Sequence, residues 1–261
     1  MDGVWVVKVG GRLCEERDSQ ERLARALADL AHPAVLVHGG GDAVTRLQAS
    51  LGCEPRFVEG RRVTGADDVA VVEMVLSGSV NSSLVRALAA AGRPALGLSG
   101  CSAGLVRCAF VEGLGRVGVP VEVDPRVLEL ALSAGYLPVV SPVSLGPDEG
   151  PVNVNADEVA SALAAAMGAV RLLLLSDVEG VRVEEAFQTE IRGDAVEGLV
   201  AAGEITRGMI PKLRAAATAV AGGVGEVRIA GFASGSLEHV RGTRVLPGAG
   251  STAYRGAVAR G

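Results

Sequence analysis

Short apolar runs alternate with stretches of helical periodicity from one end of this chain to the other. That alternation restricts the fold more than any other feature. Val4–Val9, Ala34–Val37, Ala95–Leu98, Leu137–Ser141, Leu172–Leu175, Val227–Ala230 and Thr243–Leu246 read as strands. Ser19–Ala31, Asp42–Leu51, Asp67–Ala91, Pro125–Ala134, Asn155–Met167, Asp194–Ala202 and Met209–Ala221 read as helices. A strand that is apolar at every position is buried on both faces, and helices between such strands supply the cover. The expected architecture is α/β: a three-layer αβα sandwich with a mainly parallel central sheet. Gly-rich Arg107–Val123 predicts a hairpin excursion, and the tail from Gly248 is expected to be loose.

The 261 residues suit one large domain or two small ones. With 25 Lys plus Arg against 30 Asp plus Glu the net charge is −5, and no basic run occurs, so nucleic acid is not an expected partner. The longest uncharged run, Leu130–Pro147, is broken by Gly135, Pro138 and Pro142, which argues against a membrane span. No secretory signal follows Asp2. Cys14, Cys53, Cys101 and Cys108 form no CxxC pair, and the expectation is free thiols in a reducing cytoplasm. Only two of the 25 basic residues are lysines, Lys8 and Lys212; the other 23 are arginines. Set against chance retention, a lysine kept in such a background marks a site that needs a compact ammonium rather than a planar guanidinium.

Gly10-Gly11 follows the first strand and Gly39-Gly40-Gly41 the second, each before a helix. A parallel sheet binds ligands at the carboxyl ends of its strands, and glycines there let backbone N–H groups converge on an anion. Phosphate or carboxylate binding is expected. Neither lysine sits in a Walker A loop, and no GxGxxG follows the first strand. His38-Gly39-Gly40-Gly41 could be an esterase oxyanion loop, but the chain has no GxSxG. His32, His38 and His239 do not form a metal pair, so no metal-ligating residue is assigned.

Seven segments together resemble the amino acid kinase family over nearly the whole chain. They are Val7-Lys8-Val9-Gly10-Gly11, Val37-His38-Gly39-Gly40-Gly41, Phe57-Val58-Glu59-Gly60-Arg61-Arg62-Val63-Thr64, Gly97-Leu98-Ser99-Gly100, Asn153-Val154-Asn155-Ala156-Asp157, Leu175-Ser176-Asp177-Val178-Glu179-Gly180 and Gly208-Met209-Ile210-Pro211-Lys212. The segments around Arg62 and Asn153 are similar to members that act on N-acetyl-L-glutamate. The resemblance implies transfer of a phosphoryl group from ATP to the side-chain carboxylate of N-acetyl-L-glutamate, in arginine biosynthesis. It also implies an N-terminal lobe over 1–170 for substrate and dimerisation, and a C-terminal lobe over 171–261 for ATP.

The two lysines fall on the family's two catalytic lysine positions. By resemblance, Lys8 lies near the γ-phosphoryl group and Lys212 near the leaving β–γ bridge, with Asp157 holding both ammoniums. The alternative for Asp157 is a helix first-turn carboxylate. Gly10, Gly11 and Gly40 would offer backbone N–H groups to phosphate. Arg62 resembles the residue that clamps the substrate α-carboxylate, Asn153 would bind the substrate's polar groups, and Gly40 and Gly41 would share that task. Arg61 is expected to be solvated. Asn155 binds substrate or only shapes the turn. Asp177, Val178, Glu179, Gly180, Val181 and Arg182, with Glu204, Ile205 and Thr206, match the nucleotide-contacting stretch; a plain strand-to-loop turn is the other reading. Asn81 matches a family asparagine of unclear role. Magnesium is expected to arrive with ATP, held mainly by phosphate oxygens and water.

Gly100–Gly104 stands where relatives carry an aspartate-glycine turn, and Val183–Thr189 is Glu-rich where the nucleotide is expected. Two other readings fit the fold: a kinase for aminoadipate or glutamate carried on a small acidic protein in lysine biosynthesis, and a non-catalytic amino-acid sensor. Relatives inhibited by arginine resemble one another in an extra N-terminal helix that joins dimers. The first strand here begins by Val4, so the expectation is a cytoplasmic homodimer that free arginine does not inhibit. Val71, Val72, Val75 and Leu76 are expected to form its contact.

Overall fold

The computed structural model describes residues 3–206, 208–233 and 235–248. The tail expected to be loose beyond Gly248 lies outside the described residues. Eight strands build the central sheet: β1 (Trp5–Val9), β2 (Ala34–His38), β3 (Ala95–Ser99), β4 (Leu137–Ser141), β5 (Arg171–Ser176), β6 (Glu190–Arg192), β7 (Glu226–Gly231) and β8 (Gly242–Leu246). Their order across the sheet is β6-β8-β7-β5-β1-β2-β4-β3. From β7 to β3 all neighbours are parallel. β8 runs antiparallel to β7 and carries β6 beside it. The expected αβα sandwich is thus present, with one reversed edge.

Alternation along β1 decides what each face carries. Trp5, Val7 and Val9 join one apolar core with Leu23 and Leu27 of helix Arg17–Ala28 and Leu84 and Leu88 of helix Asn81–Ala90. Val6 joins the other, with Val159 and Leu163 of helix Ala156–Ala166 and Leu213 and Ala216 of helix Ile210–Ala221. Side chains two apart share a face, so Lys8 points the same way as Val6. The two-sided burial of β1 and β2 is what their apolar sequences require.

The excursion predicted over Arg107–Val123 is the antiparallel pair Val106–Phe110 and Val117–Val123. Ser144–Leu145 and Pro151–Val154 close it into a small four-stranded barrel. Two-residue strands carry too little pattern to be read from sequence.

The helix expected over Asp67–Ala91 runs from Ala66 to Ala90, but Met74–Val80 within it is π-helical. Its 25 residues are long and apolar enough by length and composition to cross a bilayer. In this fold one face packs on the sheet instead. That corrects the expected dimer contact: Val72, Val75 and Leu76 are buried in the protomer's own core, Val71 is half-buried, and Met74 is the exposed apolar residue.

Candidate active site

Three charged side chains meet where β1 ends and two helices begin. Asn155 caps helix Ala156–Ala166, its Oδ1 accepting the Asp157 N–H at 2.8 Å. That cap sets Asp157 in the first turn, facing Lys8. Pro211 occupies the first turn of helix Ile210–Ala221, where its missing N–H costs nothing, and Lys212 follows it inward. Lys8 Nζ lies 2.9 Å from Asp157 Oδ1. Lys212 Nζ lies 2.9 Å from the same oxygen and 3.2 Å from Oδ2. All three residues are buried.

Burial alone would push the Asp157 carboxyl up, but the two ammoniums outweigh it and hold the group at about 2. Burial opposes the charge on Lys8 too, yet Asp157 overcomes it and the pKa is raised. Lys212 goes the other way: burial, then repulsion from Lys8, exceeds the attraction of Asp157 and brings it down to about 8. One carboxylate thus secures one ammonium fully and the second only partly.

The glycine turns close round Lys8 and Asp157. Lys8, Gly10, Gly11, Gly39, Gly40, Gly41, Arg62, Asn153, Asn155 and Asp157 line one cavity of about 290 Å³. Gly40 has φ +136°, and a Cβ there would stand 3.0 Å from Leu76 and 3.2 Å from Val80 of the π-helical stretch. Gly11 has φ +54°, and its missing Cβ leaves room for Asp177, whose Oδ2 lies 2.7 Å from that point. The positive φ at both positions favours glycine.

Arg62 is buried and lines the same cavity. It lies on Phe57, across the hairpin Phe57–Val58/Arg61–Arg62, with Cζ 4.7 Å from the ring centre. Its Nη1 donates to Gln48 Oε1 at 2.6 Å, and Nη2 donates to Gly41 O at 2.9 Å and Thr45 Oγ1 at 2.8 Å. Burial lowers its pKa, with Asp68 and Asp42 opposing. Asn153 Nδ2 donates to Thr64 Oγ1 at 3.0 Å, and that hydroxyl donates to Arg62 O at 2.9 Å. The sequence reading missed Gln48, Thr45 and Thr64. Gln48 was visible as a polar residue four places after Val44, on the buried side of its helix. Arg61 is not solvated as expected: its Nη1 donates to Glu158 Oε2 at 3.1 Å, and both side chains are about a quarter exposed.

The residues matched to nucleotide contact do not share one surface. Asp177 and Glu179 line a second cavity of about 820 Å³ with Leu13, Ser176, Phe187 and Phe232. Val181 and Ile205 are buried in the core, so only their backbone is available to a ligand. Val181 N–H donates to Thr243 Oγ1 at 2.8 Å. Val178 is exposed, Gly180 packs against Phe187 and Thr243, and Arg182 opens a hairpin, its Nη1 donating to Glu185 O at 2.8 Å. Glu204 is half-buried and Thr206 exposed. Gly100–Gly104 contains a single 3₁₀ turn and lines neither cavity. Among the described residues no group of three or more His, Cys, Asp or Glu is placed to hold a metal ion.

A profile of the amino acid kinase family matches residues 3–231. A protein from Roseiflexus sp. (strain RS-1), named acetylglutamate kinase, is 46% identical over 228 residues, covering 86% of this chain and 87% of its own. One of the same name from Methanopyrus kandleri is 45% identical over 252 residues, covering 92% of this chain and 99% of its own. Among solved structures, smu.665 from Streptococcus mutans UA159 superposes with a TM-score of 0.80 at 28% identity, over 94% of this chain and 99% of that one.

Proposed function

This chain belongs to the amino acid kinase family, and from that premise we propose that it phosphorylates the side-chain carboxylate of N-acetyl-L-glutamate with ATP. The products are N-acetyl-L-glutamyl 5-phosphate and ADP, in arginine biosynthesis. The observation that carries this reading is the placement of two ammoniums on one buried carboxylate, beside two glycine turns at adjacent strand ends.

The attacking carboxylate is ionised near pH 7, so the step needs no general base. Its difficulty is electrostatic, because an anion approaches a polyanion. Position and fixed positive charge must do the catalysis. Lys8 neutralises the γ-phosphoryl group in flight, and Lys212 neutralises charge building on the β–γ bridge. Asp157 keeps both ammoniums in place. Gly10, Gly11 and Gly40 offer backbone N–H groups to phosphate. Arg62 takes the α-carboxylate, and Asn153, with Gly40 and Gly41, takes the substrate's polar groups. Asp177–Arg182 and Glu204–Thr206 border the nucleotide in a C-terminal lobe from about residue 171, while residues up to 170 hold the acceptor.

Magnesium enters on ATP. Both oxygens of Asp157 are engaged by lysine, so the ion's ligands are phosphate oxygens and water. When bound it neutralises charge on the phosphates. The acceptor is a free small molecule: Glu158 neutralises Arg61, which removes the Arg61-Arg62 pair as a basic patch for an acidic carrier protein. The enzyme works in the cytoplasm as a homodimer, whose contact would use the outward face of the Ala66–Ala90 helix around Met74 and the edge strand β3, where Leu96 is exposed.

Incubation with ATP, magnesium and N-acetyl-L-glutamate, with hydroxylamine to trap the acyl phosphate, should give the hydroxamate. Unacetylated glutamate and aspartate should give far less. Absence of hydroxamate with N-acetyl-L-glutamate alone among these acceptors overturns the reading.

A further inference from the structure

We propose that Asn81 is a positioning residue for phosphoryl transfer, acting through His38 to aim the backbone of the Gly39–Gly41 turn. The inference rests on the function proposed above. Asn81 is the first residue of helix Asn81–Ala90, directly after the π-helical stretch, and it is buried. Its Nδ2 lies 2.9 Å from Val139 O, 3.2 Å from Leu98 O and 3.1 Å from His38 Nε2. Carbonyls only accept, so the amide nitrogen must be the end that faces them. One side chain thereby ties the middle of β4 and the penultimate residue of β3 to the last residue of β2.

His38 is fully buried, and its Nδ1 lies 2.8 Å from Gly39 O. That carbonyl requires a hydrogen on Nδ1. Nε2 then carries the lone pair and accepts from Asn81 Nδ2, whose two hydrogens serve this nitrogen and the two carbonyls, one hydrogen being shared. The two contacts assign a neutral ring protonated on Nδ1. Burial supports neutrality, lowering the His38 pKa to about 4.

The link to the site is the planarity of one peptide. Gly39 C=O and Gly40 N–H belong to the same trans unit and point in opposite directions. A ring buried behind the turn that fixes the carbonyl also fixes the N–H, which is thereby turned away from the ring. Gly40 lines the cavity that holds Lys8 and Asp157. Leu76 and Val80 back it from the π-helical stretch, at the short distances its missing Cβ permits. Asn81 touches no reacting atom; it holds the residue that aims one.

Two measurements test this. ¹⁵N–¹H correlation spectra of the His38 ring in the wild-type protein should show the Nδ1–H form; the Nε2–H form or an imidazolium overturns the proposal. This readout needs neither a variant nor activity, so it stands apart from the substrate assignment, which fails on its own if the wild type makes no acyl phosphate. In Asn81→Asp, the carboxylate accepts where the amide donated, and the His38 proton should move to Nε2. In that variant kcat should fall about 10- to 100-fold, with the KM for ATP changing much less. A purely structural role would lower the unfolding temperature and leave kcat at 25 °C intact; a folded Asn81→Asp enzyme with wild-type kcat overturns the proposal.

Discussion

Lys8 and Lys212, far apart in the chain, each hold Nζ 2.9 Å from the same atom, Oδ1 of Asp157. Two cations on one buried anion leave a net positive charge in a low-dielectric pocket. That is unfavourable in the empty protein and favourable once phosphate arrives. Arginine could supply the charge, but its planar fork could not bring two cationic nitrogens onto one oxygen in this space.

Asp157→Asn should lose both stability and activity. It leaves two buried ammoniums without a counter-ion, a loss on the order of 3 kcal/mol or more when one partner of a buried pair is removed. Denaturant midpoints should show that loss, and kcat should fall with it. Lys8→Arg and Lys212→Arg should fold yet lose at least about tenfold in kcat, or about 1.4 kcal/mol of transition-state stabilisation. A Lys212→Arg enzyme with wild-type kcat would remove that residue from the mechanism.

Lys212 should set the alkaline limb of the rate profile. Its folded pKa, about 8, lies below its ordinary 10.5. Between those values the unfolded chain binds more protons, so this group's contribution to stability rises with pH across the window. The penalty for keeping it charged is full below about 8. Lys8, raised above 10.5, has the opposite sign: its stabilisation is present below 10.5 and lost only as pH rises through its folded pKa. Activity tracks the charge on Lys212, so kcat/KM should decline from near pH 8. The limb in kcat should lie higher, because bound phosphates favour the ammonium. A kcat/KM that is flat to pH 10 would contradict this assignment.

Arg62→Lys should weaken the acceptor and spare ATP. The guanidinium is held by Gln48, Thr45, Gly41 and Phe57, which a lysine cannot satisfy together. Losing a forked contact to a carboxylate is worth about 1–3 kcal/mol, so the KM for N-acetyl-L-glutamate should rise by about tenfold or more. Gln48→Leu should move the same constant in the same direction by releasing one arm of the fork. A larger effect on the KM for ATP would place Arg62 on the nucleotide side.

How far the sequence revealed this arrangement depends on the kind of signal. Lys8 and Lys212 stood out because the rest of the chain had moved to arginine. The glycine turns stood out because they recur at the ends of two strands that prove adjacent. Arg61 and Arg62 were not separable by pattern: they alternate across a strand of two residues, one toward Glu158 and one toward Gln48. Helical spacing correctly gave Val72, Val75 and Leu76 a common face, but spacing does not say whether a core or a partner covers it. β8 is half-covered, with Thr243 and Val245 buried and Arg244 exposed, but so short an alternation does not fix which way the strand runs.

The hairpin beside the larger cavity should be improvable without touching catalysis. Arg182–Val183 pairs with Ala186–Phe187, leaving Glu184 and Glu185 as a two-residue loop. Both have positive φ, +46° and +66°. This is the geometry of a type I′ turn, which favours Asn-Gly because other residues clash in the left-handed region. Each glutamate there costs roughly 1 kcal/mol. Glu184→Asn combined with Glu185→Gly should therefore stabilise the protein by about 1–2 kcal/mol, raising Tm by roughly 2–6 °C. The Arg182 contact reaches the backbone of Glu185 and survives the change. Neither glutamate lines the cavity that Phe187 and Asp177 border, so kcat should be unchanged. Thermal unfolding of the double variant decides it: an unchanged or lower Tm would mean the loop does not hold this turn in solution.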